Sequence, residues 1–167
     1  TYWMSEPLRF ATSHSHNLFA EGGDDRMRYG IGLSYNKTQG VMKGSDRDVL
    51  NGNVRLMYRY KTVAFTNYLN LDYTMSSREN VSFSEFSRAN PYHRKLNEYG
   101  EPDQVMETYT DSDINSSSYL KTLNVYNPLY DMILNSSNES RSFGFRNNFE
   151  IDWRVYDELR VKGRFSI

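Results

Sequence analysis

The stretch RYGIGLSYNKTQG, residues 28–40, decides how the rest of the chain is interpreted. Its first half alternates, with Tyr29, Ile31, Leu33 and Tyr35 on one side and Gly, Ser and Asn residues between them. Successive side chains of a β-strand point to opposite faces, so the pattern predicts a strand with one apolar and one polar face. The apolar face would be a core in a soluble protein, and would face lipid in an outer-membrane barrel. The alternation alone leaves both interpretations open.

The composition favours a β-rich protein. The chain has 167 residues, with 14 Tyr, 9 Phe and only 4 Pro, and aromatic residues are enriched in strands. Its 20 basic and 21 acidic residues nearly cancel, which argues against a nucleic-acid-binding protein. Cysteine is absent, so disulfides and cysteine-ligated metals are excluded. No run of about 18 apolar residues is present, so no transmembrane helix is predicted.

Six alternating segments are predicted as strands, near residues 14–21, 26–37, 53–60, 63–75, 142–156 and 159–167. Residues 40–51 form a polar loop in this interpretation. Residues 76–140, rich in Ser, Asn, Asp, Glu and Tyr, form one long loop, with a helix-like start at Pro128. The connections therefore alternate between short and long, as the turns and loops of outer-membrane barrels do. A soluble β-domain with a charged outer face fits the same pattern.

Several motifs in order add a resemblance. HNL at residues 16–18, GG at 22–23, the strand around LSY at 33–35 and SDR at 45–47 follow one another as at the start of a known barrel family. RANPYHRKLNEYGEP, YNPLYDM and FRNNFEIDWRVYDELRVKGRFSI come later in the same order. The whole chain thus resembles SusC/RagA-like TonB-dependent outer-membrane transporters of the Bacteroidota.

The resemblance implies a fold, a location and partners. The chain would be all-β: an antiparallel transmembrane β-barrel segment of about six strands from a larger barrel, with one long extracellular loop at 76–140. The plug domain and the TonB-binding segment would lie outside this chain, since large transporters use about 22 strands around a plugged lumen. Tyr29, Ile31, Leu33 and Tyr35 would face outer-membrane lipid of a Gram-negative bacterium.

The resemblance also implies a function. The parent protein would import oligosaccharides or peptides, powered by TonB and assisted by a SusD-like surface lipoprotein. Two alternatives stay open: another TonB-dependent receptor, for siderophores or vitamins, and a soluble β-sandwich binding module.

Candidate contact residues lie in the long loop, where aromatic rings are spread through polar sequence. We expect ligand or partner contact from Phe86, Tyr92, Tyr99, Tyr109 and Tyr119. Equally, these rings could anchor the loop to itself. His14 and His16 could share a metal on one strand face, but no third ligand is near in sequence, so no metal or cofactor is expected. Arrangements typical of an enzyme are missing, and we expect no catalysis.

Overall fold

The computed structural model describes residues 2–111, 121–134 and 136–167. Strands make up 60% of the chain and helices 8%, and every strand pairing is antiparallel, so the all-β prediction is confirmed. The elements are β1 (Ser13–Gly23), β2 (Met27–Gln39), β3 (Asp46–Tyr60), β4 (Val63–Ser77), α1 (Phe83–Arg88), β5 (Val105–Asp111), β6 (Lys121–Tyr126), α2 (Pro128–Ile133), β7 (Glu139–Tyr156) and β8 (Leu159–Ser166).

The chain forms two compact units. Residues 11–39, 46–77 and 139–167 form the first, which we call the sheet unit. Residues 1–10, 40–45 and 78–138 form the second, which we call the core unit. The sheet unit is one six-stranded sheet in the order β1-β2-β3-β4-β7-β8, and the core unit contains the two-stranded β5-β6 sheet. The sheet of the sheet unit is not closed on itself.

Register gives the sheet unit two chemically distinct faces. Tyr29 pairs with Gly22 and Leu56, and Leu33 pairs with Leu18 and Gly52, so the apolar positions of neighbouring strands share one face. The same alternation continues to β8, where Val161 pairs with Trp153. The apolar face includes Leu18, Ile31, Leu33, Leu50, Leu56, Tyr58, Phe65, Leu71, Tyr73, Phe143, Phe145, Trp153, Val161 and Phe165. The other face, which we call the polar face, carries mostly Ser, Thr, Asn and charged residues.

The turn between β1 and β2 follows from its sequence. Gly23 has a φ of 132°, and a side chain there would collide with the carbonyl oxygen of Met27. Asp24 Oδ1 accepts hydrogen bonds from the backbone N–H groups of Arg26 at 2.8 Å and Met27 at 2.7 Å. These bonds hold the pKa of Asp24 below its usual value, because they stabilise the ionised carboxylate. Asp24 is thus a structural residue of the hairpin.

The third strand is longer than predicted. The polar stretch 46–52 was expected in a loop, yet β3 begins at Asp46, which pairs with Gln39 of β2. On its other side Arg47 pairs with Ser76 of β4. The prediction of a loop at 40–51 was therefore wrong beyond residue 45. Backbone pairing with two long neighbours extends the strand where its own residues show little alternation.

The core unit buries a small aromatic core. Trp3, Val81, Phe86 and Leu129 form it, with Ala89, Met106 and Met132 packed against it. The Trp3 indole N–H donates to the carbonyl oxygen of Asn90 at 3.0 Å. Lys95 forms an ion pair with Glu6 at 2.6 Å and lies 5.8 Å from the centroid of the Trp3 ring. The N-terminal residues are therefore part of this core.

Residues 76–140 are not one loop, as the sequence had suggested. They contain α1, β5, β6 and α2, and their ends belong to β4 and β7. The predicted helix start at Pro128 is confirmed: Asn127 precedes it, and its side-chain Oδ1 accepts the N–H of Leu129 at 3.0 Å. The Asn127 Nδ2 donates to the Lys95 carbonyl oxygen at 3.0 Å, so this buried amide connects α2 to the segment between α1 and β5.

The helices of the described residues are short. Both α1 and α2 have 6 residues, and no helix there is long and apolar enough to cross a membrane.

Candidate functional site

The five aromatic residues predicted to contact a ligand have different environments. Phe86 is 1% exposed and fills the centre of the core, so its ring has a packing role and is not at the surface. Tyr92 and Tyr99 are 93% and 89% exposed, and their rings are free to meet a partner. Tyr109 is half exposed on β5. Tyr119 lies outside the described residues.

Tyr109 belongs to a short hydrogen-bonded chain. Its hydroxyl donates to Glu107 Oε2 at 2.5 Å, and His93 Nε2 lies 2.6 Å from the same oxygen. The Tyr109 hydroxyl, and secondarily His93, hold the pKa of Glu107 below its usual value. The carboxylate in turn raises the pKa of Tyr109, because the bound phenol proton is harder to remove. His93 itself is mostly buried, and its Nδ1 has no hydrogen-bond partner among the described residues.

The same residues line a cavity of about 390 Å³ in the core unit. Its walls come from α1, β5, β6 and α2, and include Arg88, His93, Tyr109, Tyr126 and Asp131. The size is within the range of small-molecule sites. Of the four predicted contact residues that the structure describes, only Tyr109 lines it. Arg88 and His93 also line it and were not predicted.

The polar face of the sheet unit is strongly basic, although the chain as a whole has a net charge of −1. Register places on this face the cations Arg28, Arg47, Arg55, Arg59, Arg146, Arg154, Arg160, Lys162 and Arg164 and the anions Glu21, Asp72, Glu150 and Asp152. The ion pairs on this face join β7 to β8.

Each cation of β8 has a carboxylate partner on β7. Arg160 binds Asp152 through two hydrogen bonds, and Lys162 Nζ lies 3.8 Å from the same carboxylate. Arg164 forms an ion pair with Glu150 at 2.9 Å. These cross-strand pairs offset part of the repulsion among the cations of this face.

On β1 to β4 the polar face forms an open groove of about 790 Å³. The floor includes Gly30, where an added Cβ would lie 3.7 Å from the Phe19 ring. The walls include Phe19, Glu21, Arg28, Asn53, Arg55, Tyr68 and Asn70. Arg55 lies 5.4 Å from the centroid of the Tyr68 ring. This groove was not predicted as a site, although the alternation had placed Arg55 and Arg59 on one face.

His14 and His16 share the apolar face of β1, with ring centroids 5.4 Å apart. Across the described ranges, no group of three or more His, Cys, Asp or Glu residues is arranged to hold a metal ion.

Comparisons with known proteins add no family assignment. No protein-family model matches the chain, and no curated protein is significantly similar to it.

Proposed function

We propose that the chain is part of the wall of a SusC-type TonB-dependent importer in the outer membrane of a Gram-negative bacterium. The parent protein would take up oligosaccharides or peptides together with a SusD-like lipoprotein. The observation that carries the membrane assignment is the apolar face of the sheet unit. The importer class itself is supported by the order of motifs in the sequence.

The apolar face has no core beneath it. All four buried hydrophobic residues of the described chain belong to the core unit. Large side chains of the apolar face are open instead: Phe143 is 69% and Ile31 50% exposed. Asn67 and Asn147 interrupt this face and hydrogen-bond to each other at 2.7 Å, but most of the remaining positions are apolar. Such an apolar surface on six strands exceeds what a monomeric soluble domain tolerates, whereas lipid covers it in a barrel.

The apolar face also has the dimensions of a membrane band. On β4 it runs from Val63 to Tyr73, which is about 33 Å at about 3.3 Å per residue. A strand tilt of about 40° reduces that to a height of about 25 Å, the usual height of the apolar band of outer-membrane barrels.

The ends of the band are aromatic. Tyr35 and Tyr73 lie at one end, and Tyr60 and Trp153 at the other, while leucines such as Leu71 lie between. Tyr and Trp concentrate at both membrane interfaces, where the ring is apolar and its polar group meets the headgroups. The edge strands β1 and β8 are not paired with each other, as expected for a sector of a larger wall.

The membrane assignment is tested with nitroxide labels. Because these residues contain no cysteine, Leu33→Cys and Ser34→Cys give matched labels on adjacent residues of opposite faces. In the parent protein reconstituted in vesicles, the label at residue 33 should collide with oxygen and be shielded from a water-soluble nickel complex. The label at residue 34 should be less exposed to oxygen. A parent protein that is monodisperse in water without detergent, with the label at residue 33 hidden from both reagents, would favour the soluble β-sandwich.

The transport assignment needs a separate test. Cells of the source bacterium with and without the gene are given labelled oligosaccharides, peptides, ferric siderophores and cobalamin. Loss of uptake of an oligosaccharide or peptide, with the same loss on dissipating the proton gradient, is the expected result. Loss confined to siderophore or cobalamin uptake would replace the proposal with the other class of TonB-dependent receptor.

A further inference from the structure

The groove on the polar face contains arginines without counter-ions. Arg28 and Arg55 line it, and Arg59 lies beside Arg28 in an adjoining recess with Asp25 and Arg26. Within the described part of the chain, no ion pair involves Arg28, Arg55 or Arg59. Glu21 lines the same groove and makes no ion pair with these arginines either.

Register places the three arginines at neighbouring positions on the polar face. Arg28 pairs with Met57, so Arg55 and Arg59 are its diagonal neighbours on β3. Such neighbours lie about 7–8 Å apart, and like charges at that distance repel. An anion between them would remove the repulsion, and arginine binds carboxylates through two parallel hydrogen bonds.

The other half of the same face provides an internal comparison. There the cations of β8 are neutralised by Asp152 and Glu150 of β7. The ion pairs of this face therefore lie where β7 meets β8. Among the described residues, the three arginines form none where β2 meets β3, although Glu21 and Asp25 line the groove and its recess. Two of these arginines, Arg28 and Arg55, line the open groove of about 790 Å³, which leaves space for a carboxylate from outside.

We propose that this groove binds a ligand carrying several carboxylates, with Arg28 and Arg55 as its primary contacts and Arg59 as an outer one. The groove's volume of about 790 Å³ fits a short oligomer. The Phe19 ring offers an apolar surface, and Asn53 and Asn70 offer amide groups that donate and accept hydrogen bonds.

Two sources share this chemistry: an acidic oligosaccharide with uronic acid units, and an oligopeptide rich in Glu or Asp. The inference rests on the proposed function for its biological meaning, since it makes the imported substrate acidic. Binding itself is measured without reference to transport.

The test uses the full-length parent protein in detergent and three probes: tetragalacturonate, tetraglutamate and the neutral maltotetraose. We expect calorimetry to detect one or both acidic probes and not the neutral one, with affinity that falls as sodium chloride is added. The acidic probe that binds identifies the source. No binding of either acidic probe at millimolar concentration, or equal binding of maltotetraose, would overturn the proposal.

Matched variants locate the site. R28Q combined with R55Q should weaken binding at least tenfold, whereas R164Q, on the same face but outside the groove, should change it less than twofold. Gly30→Leu keeps every charge and fills the floor, so it should also weaken binding. Circular dichroism and heat-dependent gel migration verify that each variant is folded. Equal effects of R164Q and the double variant would refute the assignment to this groove.

The outcomes for the two proposals are distinguishable. A soluble parent protein that still binds tetragalacturonate through Arg28 and Arg55 would keep the site and exclude the importer. A membrane-embedded importer that binds neither acidic probe would keep the function and exclude the site.

Discussion

The core unit hides its aromatic rings, whereas the sheet unit exposes them. Phe86 of α1 is 1% exposed and packs with Trp3 and Leu129, while Phe143 of β7 is 69% exposed. Both residues come from stretches of similar polarity, so composition does not separate them. The difference lies in period and topology: six long strands put every second side chain on one face, and the short elements of the core unit fold around a centre.

The largest expected effect is in the core unit. Phe86→Ala should cost about 3–5 kcal/mol of local stability, because it leaves a cavity beside Trp3 and Leu129. Native-state hydrogen exchange at the Ala89 amide, which bonds to the Glu85 carbonyl, reports this loss. Phe143→Ala is the matched control and should leave that amide unchanged. Equal exchange at Ala89 in both variants would contradict the assignment of Phe86 to the core.

The next effect distinguishes the two faces of the sheet. Leu69→Arg places a charge in the middle of the apolar face, and Asn70→Arg places the same charge on the polar face. In a bilayer the first should cost about 2–4 kcal/mol, because lipid cannot solvate the guanidinium. The second should cost much less. Urea unfolding of the parent protein in lipid vesicles measures both.

Equal destabilisation by these two variants would mean that the apolar face is not in contact with lipid. Destabilisation of Leu69→Arg in a protein that is soluble without detergent would instead indicate a protein core on that face.

A smaller effect tests the contact between the start of α2 and the segment between α1 and β5. Asn127 is 1% exposed, and its amide both accepts the Leu129 N–H and donates to the Lys95 carbonyl. Asn127→Ala should lower the stability of the core unit by about 2 kcal/mol, because it removes a helix cap and leaves the Lys95 carbonyl without its hydrogen bond. Limited proteolysis of the core unit reports it. Asn124→Ala on β6 removes one exposed hydrogen bond from Thr108 and should have little effect.

How much of this fold follows from sequence depends on the range of the interactions. Alternation predicts strands of the sheet unit well, because each strand of a two-faced sheet carries the pattern in its own residues. It misses the start of β3 at Asp46, because that part of the strand is formed by pairing with β2 and β4 and its own residues do not alternate clearly. Trp3 and Asn90 are 87 residues apart in the chain, so no local signal predicts their contact.

The candidate sites show the same limit. Tyr109 was predicted as a contact residue from its aromatic ring in polar sequence, and it does line a cavity. Phe86 has the same sequence environment, yet its ring is buried. The unpaired arginines of the groove could not be predicted, because register decides which cations lie opposite an acid on the neighbouring strand.

The smallest effect concerns the titration of Glu107 in the core unit. Its pKa is lowered mainly by the Tyr109 hydroxyl, so Tyr109→Phe should move that pKa back towards the usual value of about 4.3. A carboxylate with a lowered pKa stabilises the fold above its unfolded pKa, and this contribution is lost as the pH falls through the folded value. The variant should therefore lose less stability on acidification than the parent sequence.

Carbon-13 NMR of the Glu107 side-chain carboxyl measures its pKa directly. Tyr99→Phe is the control, because the Tyr99 ring is 89% exposed and the Glu107 carboxylate is bound by Tyr109 instead. An unchanged Glu107 pKa in Tyr109→Phe would mean that His93, at 2.6 Å from the same oxygen, holds the carboxylate ionised by itself. The core unit would then be stabilised at this site by the contact between Glu107 and His93, and not by the hydrogen bond from Tyr109. The comparison of the two variants therefore identifies which neighbour dominates, and it contrasts this cluster with the sheet unit, where the ion pairs of β7 and β8 contain no histidine.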